Sequence, residues 1–564
     1  MKKHFLLATA ALVMAFSFMS CKNMGPLATE YFKVDPPVLE AKAGKVDATI
    51  NGTFPEKYFK KNAIVVVTPV LKYNGTEERL PTGTFQGEKV KGNNKKIQYK
   101  AGGTYTLRIS ADFKPGMEKS ELYLQFEVKE GKKSTALPEI KVADGIQCTY
   151  MLAKAEQLEP AFATDQFQRS ISSQQEADIN FLVAKTDIRP TELKKSELVA
   201  LTEKLKEVSA KEGSSVKGVE ISGYASPEGG LDLNTGLAEK REKVAVDYIN
   251  KQMKDLKTQA QVDSKYTAED WEGFQDLVSK SSIQDKELIL SVLSQFTDPA
   301  QRETEIRKLS AAFKVLASDI LPQLRRSKMK VTFDISGKTD AQLIAESKAT
   351  PDSMTVEELL FTATLVPDLD SKAAIYTKAS TLYASDWRTI NNLGAVKYLQ
   401  GKYDEAEQLF SKAIDLNSSA KETNYNWGVI KMMKGDLKIA EPFLGKAAGI
   451  GPKLDAALGV IYLWKGDYGA ANKALSADFS NNAVIAKLVV KDMTGAQTVL
   501  KDIKAPNELT SYLKAIVAAR SGDKEGVLSN LKTAVQKPEL KARAAKDIEF
   551  AKFSSDPAFN AIAK

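Results

Sequence analysis

Along residues 29–150, apolar and polar side chains alternate with a period of two. The pattern is clearest at Tyr105, Leu107 and Ile109 and at Leu122, Leu124 and Phe126, in segments rich in Val, Ile, Thr, Tyr and Phe that Gly and Asn separate. Alternation of this kind turns one face of an extended chain toward a core. Several such segments without helical spacing between them predict an antiparallel β-sandwich of about seven strands. The rhythm then changes. Ile179 to Val183 reads as a strand, and Leu193, Leu198, Leu201, Leu205 and Val208 recur as one helical stripe. VKGVEISGYA, residues 216–225, reads as a second strand leading into a second helix. A helical insertion follows at about 260–320. Its last helix is predicted to start at the N-cap Asp298 with Pro299 behind it, and to carry Ile306, Leu309, Phe313, Leu316 and Ile320 on its apolar side. From about Thr355 the pattern is helical and periodic. Gly394 and Gly401 recur 34 residues on as Gly428 and Gly435, then as Gly459 and Gly466, while Ala406 recurs as Ala440. The expected organisation is multidomain: an all-β sandwich (29–150), an α/β domain (170–336), a linker (337–354) and an all-α solenoid (355–564).

The strand-to-helix passage GYASPEGGLDLNTGLAEKREKV, Gly223 to Val244, is the richest candidate for chemistry. A phosphate cradle needs glycines that expose successive backbone N–H groups, with a GK[ST] or GxGxxG spacing. Neither spacing is present, Pro227 removes one N–H, and Lys240 lies too far along the helix. Within that helix Leu237, Val244, Ala245 and Tyr248 form the expected apolar stripe, and Arg241 falls on the same side. A guanidinium placed there needs a carbonyl or anionic partner, because an unpaired buried charge is costly. Two partners fit: a neighbouring backbone or acid that closes the helix onto its loop, or a ligand carboxylate gripped by the planar fork.

Gly223-Tyr224-Ala225-Ser226, Gly229, Asn234, Leu237-Ala238 and Arg241-Glu242, with Leu324-Arg325-Arg326 ahead of the final strand, stand at spacings that resemble the OmpA C-terminal-like family over roughly residues 176–336. The resemblance implies an α/β fold that recognises the peptide stem of peptidoglycan, with Ser226, Asn234, Arg241 and Arg325 along the groove. In that family the arginine and an aspartate together hold the diaminopimelate of the stem. Ser226 stands at the aspartate's position, and a hydroxyl can accept a hydrogen bond from an ammonium group but cannot neutralise it. Glu228 and Asp232 are the nearest carboxylates in the loop. Farther on, Leu393-Gly394, Tyr398, Gly401, Tyr403, Ala406, Phe410 and Ala413 resemble a tetratricopeptide repeat, which implies a solenoid with protein partners on its concave face. A helical pair at 511–535 is expected to continue the stack.

The first residues add a location. Two lysines precede an apolar stretch from Phe5 to Phe18 that is shorter than the roughly 20 residues of a membrane span, the pattern of a signal peptide (1–20). Phe18-Met19-Ser20-Cys21 resembles a lipoprotein lipobox, so Cys21 is the expected lipid attachment site, with 21–28 as anchor linker; acyl chains on one residue hold a protein to a membrane without a spanning helix. The ensemble resembles an outer-membrane lipoprotein of the Bacteroidota. Residues 22–25 lack the acidic cluster of surface-export signals, which favours the periplasmic side over the cell surface.

Composition narrows the chemistry. The only histidine, His4, leaves with the leader, which excludes His-dependent nucleophiles and His-ligated zinc sites. Cys148 is then the one cysteine beside Cys21 and is expected in a core. Loss of Lys2 and Lys3 lowers the net charge from +8 to +6, and no basic run with interleaved aromatics suggests nucleic acid. The expected function is a non-enzymatic, lipid-anchored envelope scaffold without cofactor or metal, tethering the outer membrane to peptidoglycan, to protein partners, or to both. The alternative is an accessory subunit of a fimbrial or secretion assembly, whose OmpA-like domain docks protein and does not bind peptidoglycan.

Overall fold

The computed structural model describes residues 24–308 and 310–564. The signal peptide, the lipid attachment site Cys21 and Leu309 of the insertion stripe lie outside the described residues. The chain forms two compact units, one made of the residues up to 163 together with 383–564, the other of 164–382.

The first unit begins with β1 (Phe32–Asp35), β2 (Val38–Lys42), β3 (Lys45–Phe54), β4 (Ala63–Tyr73), β5 (Thr76–Arg79), β6 (Gly83–Gly87), β7 (Lys95–Ile97), β8 (Gly103–Asp112), β9 (Ser120–Glu130) and β10 (Lys133–Gln147). Strand β2 joins two layers: it pairs antiparallel with β3 and parallel with β10. One layer contains β1, β3 and β8; the other runs β10-β9-β4-β6-β7, with β5 beside β4. Alternation places Val65 and Val67 of β4 and Leu122, Leu124 and Phe126 of β9 in one core with Ile50, Phe54, Tyr105 and Ile109 of the facing layer. Aromatic rings knit the layers, with Phe85 and Tyr105 4.4 Å apart at their centroids. The fold has ten strands among the described residues, where about seven were expected, and the pairs β2–β10 and β6–β7 are parallel. The extra strands include β5 (TEER) and β7 (KKI), polar edge segments too short for an alternating pattern to reveal.

The second unit contains β11 (Ser170–Asn180), α1 (Ser196–Ala210), β12 (Ser215–Tyr224), α2 (Leu231–Asp255), β13 (Val262–Thr267) and, after the insertion, β14 (Arg326–Ser336). The sheet order is β11-β14-β12-β13, with β14 antiparallel to both neighbours and β13 parallel to β12. Leu198, Leu201, Leu205 and Val208 of α1 and Ala245, Ile249 and Met253 of α2 pack on Ile179, Ile221, Met329, Val331 and Phe333 of the sheet. Three boundaries differ from expectation. The first strand lies earlier: pairing with β14 recruits polar residues back to Ser170, while Leu182 and Val183 are exposed beyond its end. Leu193 is likewise exposed, in a short turn before α1. Residues 262–267, expected inside the insertion, form the polar edge strand β13.

The insertion proper comprises α3 (Trp271–Lys280), α4 (Lys286–Gln295), α5 (Pro299–Lys308), α6 (Ser310–Val315) and α7 (Leu321–Leu324), with a π-helical turn at Leu316–Ile320 between the last two. Its own core includes Phe274, Val278, Ile289, Leu293, Ile306 and Leu316. The expected linker 337–354 carries α8 (Asp340–Ala349), started by a reciprocal cap between Thr339 and Gln342. With α9 (Val356–Leu365) and α10 (Leu369–Leu382) it belongs to the second unit.

The rest of the first unit is a series of helical pairs: α11 (Trp387–Leu399) with α12 (Tyr403–Leu416), α13 (Lys421–Met433) with α14 (Leu437–Lys446), α15 (Pro452–Trp464) with α16 (Tyr468–Ala474), α17 (Asn481–Val489) with α18 (Met493–Asp502), and α19 (Glu508–Ser521) with α20 (Lys524–Ala534). Helices α21 (Pro538–Ala544) and α22 (Pro557–Ala563) follow. The recurring glycines have two jobs. A Cβ on Gly394, Gly428 or Gly459 would lie 2.7, 2.7 or 2.4 Å from Phe410, Leu444 or Leu475 of the paired helix, so glycine sets the close approach within each pair. Gly401, Gly435 and Gly466 turn the chain at φ of 74, 77 and 75°. Asp436, Asp467, Asp492 and Asp523 each cap the second helix of a pair by accepting the N–H three residues on. That turn chemistry persists where the rest of the repeat pattern has faded.

Candidate functional site

The strand-to-helix motif is closed by its own side chains. At the end of β12 a Cβ on Gly223 would lie 2.4 Å from the Ala238 carbonyl and 2.6 Å from the Glu242 nitrogen, so α2 rests directly on the strand. The buried stripe of α2 is Asn234, Ala238, Arg241, Ala245, Ile249 and Met253, rotated from the expected one: Leu237, Val244 and Tyr248 are only half-buried. Arg241 therefore sits at the centre of the packed face, 1% exposed. Its Nη1 donates to the Tyr224 carbonyl at 2.9 Å, its Nε to Lys185 at 3.2 Å and its Nη2 to Leu182 at 3.3 Å, and its plane lies 5.3 Å from the Phe181 ring centroid. Burial, with Arg325 nearby, pulls this guanidinium down to about 10, which leaves it charged at neutral pH. Of the two kinds of partner open to Arg241, the backbone carbonyls hold it.

The remaining motif residues converge on Glu228. Ser226 Oγ donates to Glu228 Oε1 at 2.8 Å, and Arg325 holds both oxygens, Nε to Oε1 at 2.8 Å and Nη2 to Oε2 at 3.1 Å. Asn234 Nδ2 donates to the Gly229 carbonyl at 2.8 Å and ties the loop to the helix. Asp232 stays exposed in the first turn of α2. Arg326, which the sequence pattern did not single out as a site residue, pairs with Asp270 at 3.0 Å and lies over Tyr224. From the insertion, Arg307 donates to the Glu228 carbonyl at 2.5 Å, so α5 is pinned to the motif loop. Ser226 and Arg325 are thus brought together on one carboxylate of the chain itself, with Asn234 and Arg241 bracing the loop and strand end.

A second site was not foreseen. After β10, residues 149–163 run along the first helices of the repeats, and asparagine side chains read their main chain. Asn482 accepts from the Lys154 N–H at 3.1 Å and donates to its carbonyl at 3.0 Å. Asn426 does the same for Ala161 at 2.7 and 2.8 Å, and Asn392 for Ala163 at 2.7 and 2.9 Å. Asn391 adds a second donor to the Ala161 carbonyl, and Tyr398 Oη donates to the carbonyls of Ala155 and Leu158. These asparagines are fully buried, where an unpaired amide would be costly, and each bidentate contact satisfies both ends of the side chain and the N–H and carbonyl of one strap residue. Ala155, Leu158 and Ala161 fill the apolar spaces between them. The face on which protein partners were expected is therefore occupied over this stretch by the chain's own strap. A signal existed in the sequence: Asn392 and Asn426 are 34 residues apart, at the same place in successive repeats.

The strap begins at a charged joint. Glu549, buried between α21 and α22, accepts from Gln147 Nε2, from Thr149 Oγ1 and from Arg520. Burial pushes this carboxyl up, but the Arg520 hydrogen bond and charge outweigh it and hold it below the usual carboxylate range. Cys148 is buried beside Arg543, and desolvation pushes its thiol up to about 11, in keeping with a core residue.

A family model for the tetratricopeptide repeat matches residues 387–419, the pair α11–α12 with its following turn. The helical half contains a tetratricopeptide repeat. No curated protein matches the sequence. Among solved structures, a tetratricopeptide repeat protein from Parabacteroides merdae is 15% identical over 36% of this chain and 88% of its own, with a TM-score of 0.29. PilF of Pseudomonas aeruginosa is 14% identical over 39% of this chain and 100% of its own, TM-score 0.28. PilW, a type IV pilus biogenesis factor, is 14% identical over 40% and 97%, TM-score 0.26. Tetratricopeptide repeats are protein-interaction scaffolds, and the strap shows how this one holds an extended segment: through main-chain amides, with small side chains between. Among the described residues no group of three or more His, Cys, Asp or Glu side chains is placed to hold a metal ion, and no helix is long and apolar enough to cross a membrane.

Proposed function

We propose that the chain is a non-enzymatic, lipid-anchored scaffold of the cell envelope that docks proteins, an accessory subunit of a surface assembly of the fimbrial or secretion kind. Its α/β unit is read as an OmpA C-terminal-like fold that serves docking in place of peptidoglycan binding. One observation carries this choice: the Glu228 carboxylate already fills the space between Ser226 and Arg325, while Arg241 is spent on three carbonyls. A ligand carboxylate would have to displace a bidentate pair and enter a site already satisfied, which removes most of the gain from binding. The envelope location rests on the leader and on Cys21. Peptidoglycan tethering is the second reading, favoured by the family-like spacing of Asn234, Arg241 and Arg325.

Sedimentation with purified sacculi separates the two. The mature, unlipidated chain is expected to stay in the supernatant at low and at high salt, while cross-linking in intact cells captures envelope proteins on the repeat helices. Salt-resistant sedimentation that disappears in Arg325→Ala would establish the peptidoglycan reading.

A further inference from the structure

The chain enters the β-sandwich at one end. Met24 is buried in the sandwich core and borders a small hollow with Val128, Lys133 and Leu137, and the Tyr58 hydroxyl donates to the Gly25 carbonyl. Three segments close this end: 55–62 between β3 and β4, 88–100 from β6 through β7, and the β9–β10 turn at 130–133. They interlock. The Lys57 N–H donates to the Tyr99 carbonyl at 2.6 Å, the Lys89 N–H to that of Lys61 at 2.8 Å, and Lys60 reaches Glu130 at 2.6 Å. Parts of the chain that are remote in sequence therefore form one surface, and residues 24 and 25 lie against it.

Positive charge is concentrated there. The three segments hold ten lysines and three glutamates, a net +7, whereas the whole chain without Lys2 and Lys3 carries +6, so the rest of the molecule is close to neutral. Lys60 and Lys61 are held by Glu130 and Glu88. The exposed Lys57, Lys95, Lys96, Lys100, Lys132 and Lys133 have no carboxylate within ion-pair distance among the described residues. At the opposite end of the sandwich the arrangement differs: Lys72, Lys114 and Lys141 are each paired with a glutamate. Like charges crowded on one surface repel one another, and an apposed layer of anions relieves that repulsion.

We propose that this end of the sandwich is a membrane-contact surface that lies on anionic phospholipid headgroups. The proposal rests on the lipid-anchor reading above and adds to it the face that the anchored protein turns to the bilayer. Three residues of chain between Cys21 and Met24 reach at most about 11 Å, so acyl chains on Cys21 enter the bilayer beside these lysines. Headgroup charge attracts lysines that lie within a Debye length of it, about 8–10 Å at ordinary salt. Acylation and a basic patch are two membrane signals that hold a protein more firmly together than either does alone.

The test uses the full mature chain with Cys21→Ser, which carries no lipid, and sedimentation with vesicles of phosphatidylethanolamine and phosphatidylglycerol or of phosphatidylcholine alone. At low salt the protein is expected to sediment with the anionic vesicles and not with the neutral ones, and added salt should release it. Lys132→Gln with Lys133→Gln should weaken binding roughly tenfold or more, at about fivefold for each lysine near the headgroups. Lys504→Gln with Lys514→Gln makes the same change of charge at exposed positions on the repeats and should leave binding unchanged. Equal sedimentation with neutral vesicles, or losses no greater in the first pair than in the second, overturns the proposal. So does absence of binding at low salt, and cross-links from Lys132 to an envelope protein would then assign the surface to an acidic protein partner. Acylation of Cys21 is read separately, by incorporation of labelled palmitate into the wild type in cells. No label together with intact vesicle binding would sink the anchor and leave the contact surface standing.

Discussion

The motif loop of the α/β unit and the repeat face of the first unit solve opposite problems. At the motif, charge is closed with charge: Glu228 meets Ser226 and Arg325, and Arg241 is wholly occupied by carbonyls. On the repeat face, neutral amides read a neutral backbone, as where Asn426 meets both the N–H and the carbonyl of Ala161. A completed ionic site has little free energy left to offer a ligand. The resemblance that pointed to the motif as the ligand site therefore pointed to a region whose charges are already paired.

Four experiments break or sharpen this contrast. The largest effect is expected for Arg241→Ala, which strips donors from three carbonyls and opens a cavity, at a cost of about 3–4 kcal/mol. Arg241→Lys should restore little of it, since one ammonium cannot span three directions. Hydrogen exchange in residues 181–186 is the readout, and protection unchanged in the alanine variant would show that the arginine does not brace the loop. Next comes Asn426→Ala, which leaves the Ala161 N–H without its acceptor and its carbonyl with Asn391 alone, expected to cost about 2–3 kcal/mol. Limited proteolysis should then cut within 153–163, where the wild type resists.

Acidification is third. The Glu549 carboxyl has a folded value below its unfolded one, so its contribution is full above the unfolded pKa of about 4.3 and is lost as pH falls through the lower folded value. Modification of Cys148, at the same joint, should be slow at neutral pH and speed up below about pH 4 when pulses are followed by labelling at fixed pH. The smallest effect is expected for Glu228→Gln, which keeps the shape and removes the charge at about 1 kcal/mol. It also sharpens the comparison: if the motif is a latent anion site, this variant gains affinity for acetate or a stem-peptide carboxylate, and the wild type shows none.

Much of the architecture was legible in local pattern. Period-two alternation marked β8 and β9, the 34-residue interval marked the repeats, and the Asp298-Pro299 start of α5 is where the spacing put it, with Gln301 N–H on Asp298. Polar edge strands were not legible. β13 and the first half of β11 are strands because neighbours offer them hydrogen bonds, and their own sequences carry no apolar face. Residues 337–354 looked like a linker for a similar reason, since the short helix α8 is held by caps and contributes little apolar periodicity.

The sequence by itself determined which residue types were available: a motif with arginines at 241 and 325 and no aspartate at 226, asparagines recurring along the repeat helices, and glycines where helices touch or turn. Only the tertiary structure decided what those residues meet. Burial stripes follow from which face of a helix the neighbours cover, and a rotation of one position carried Arg241 from the edge of a stripe to its centre. Whether a groove is open depends on where a remote segment lies. Ala161 and Asn426 are 265 residues apart in sequence, and nothing local in either requires them to be hydrogen-bonded.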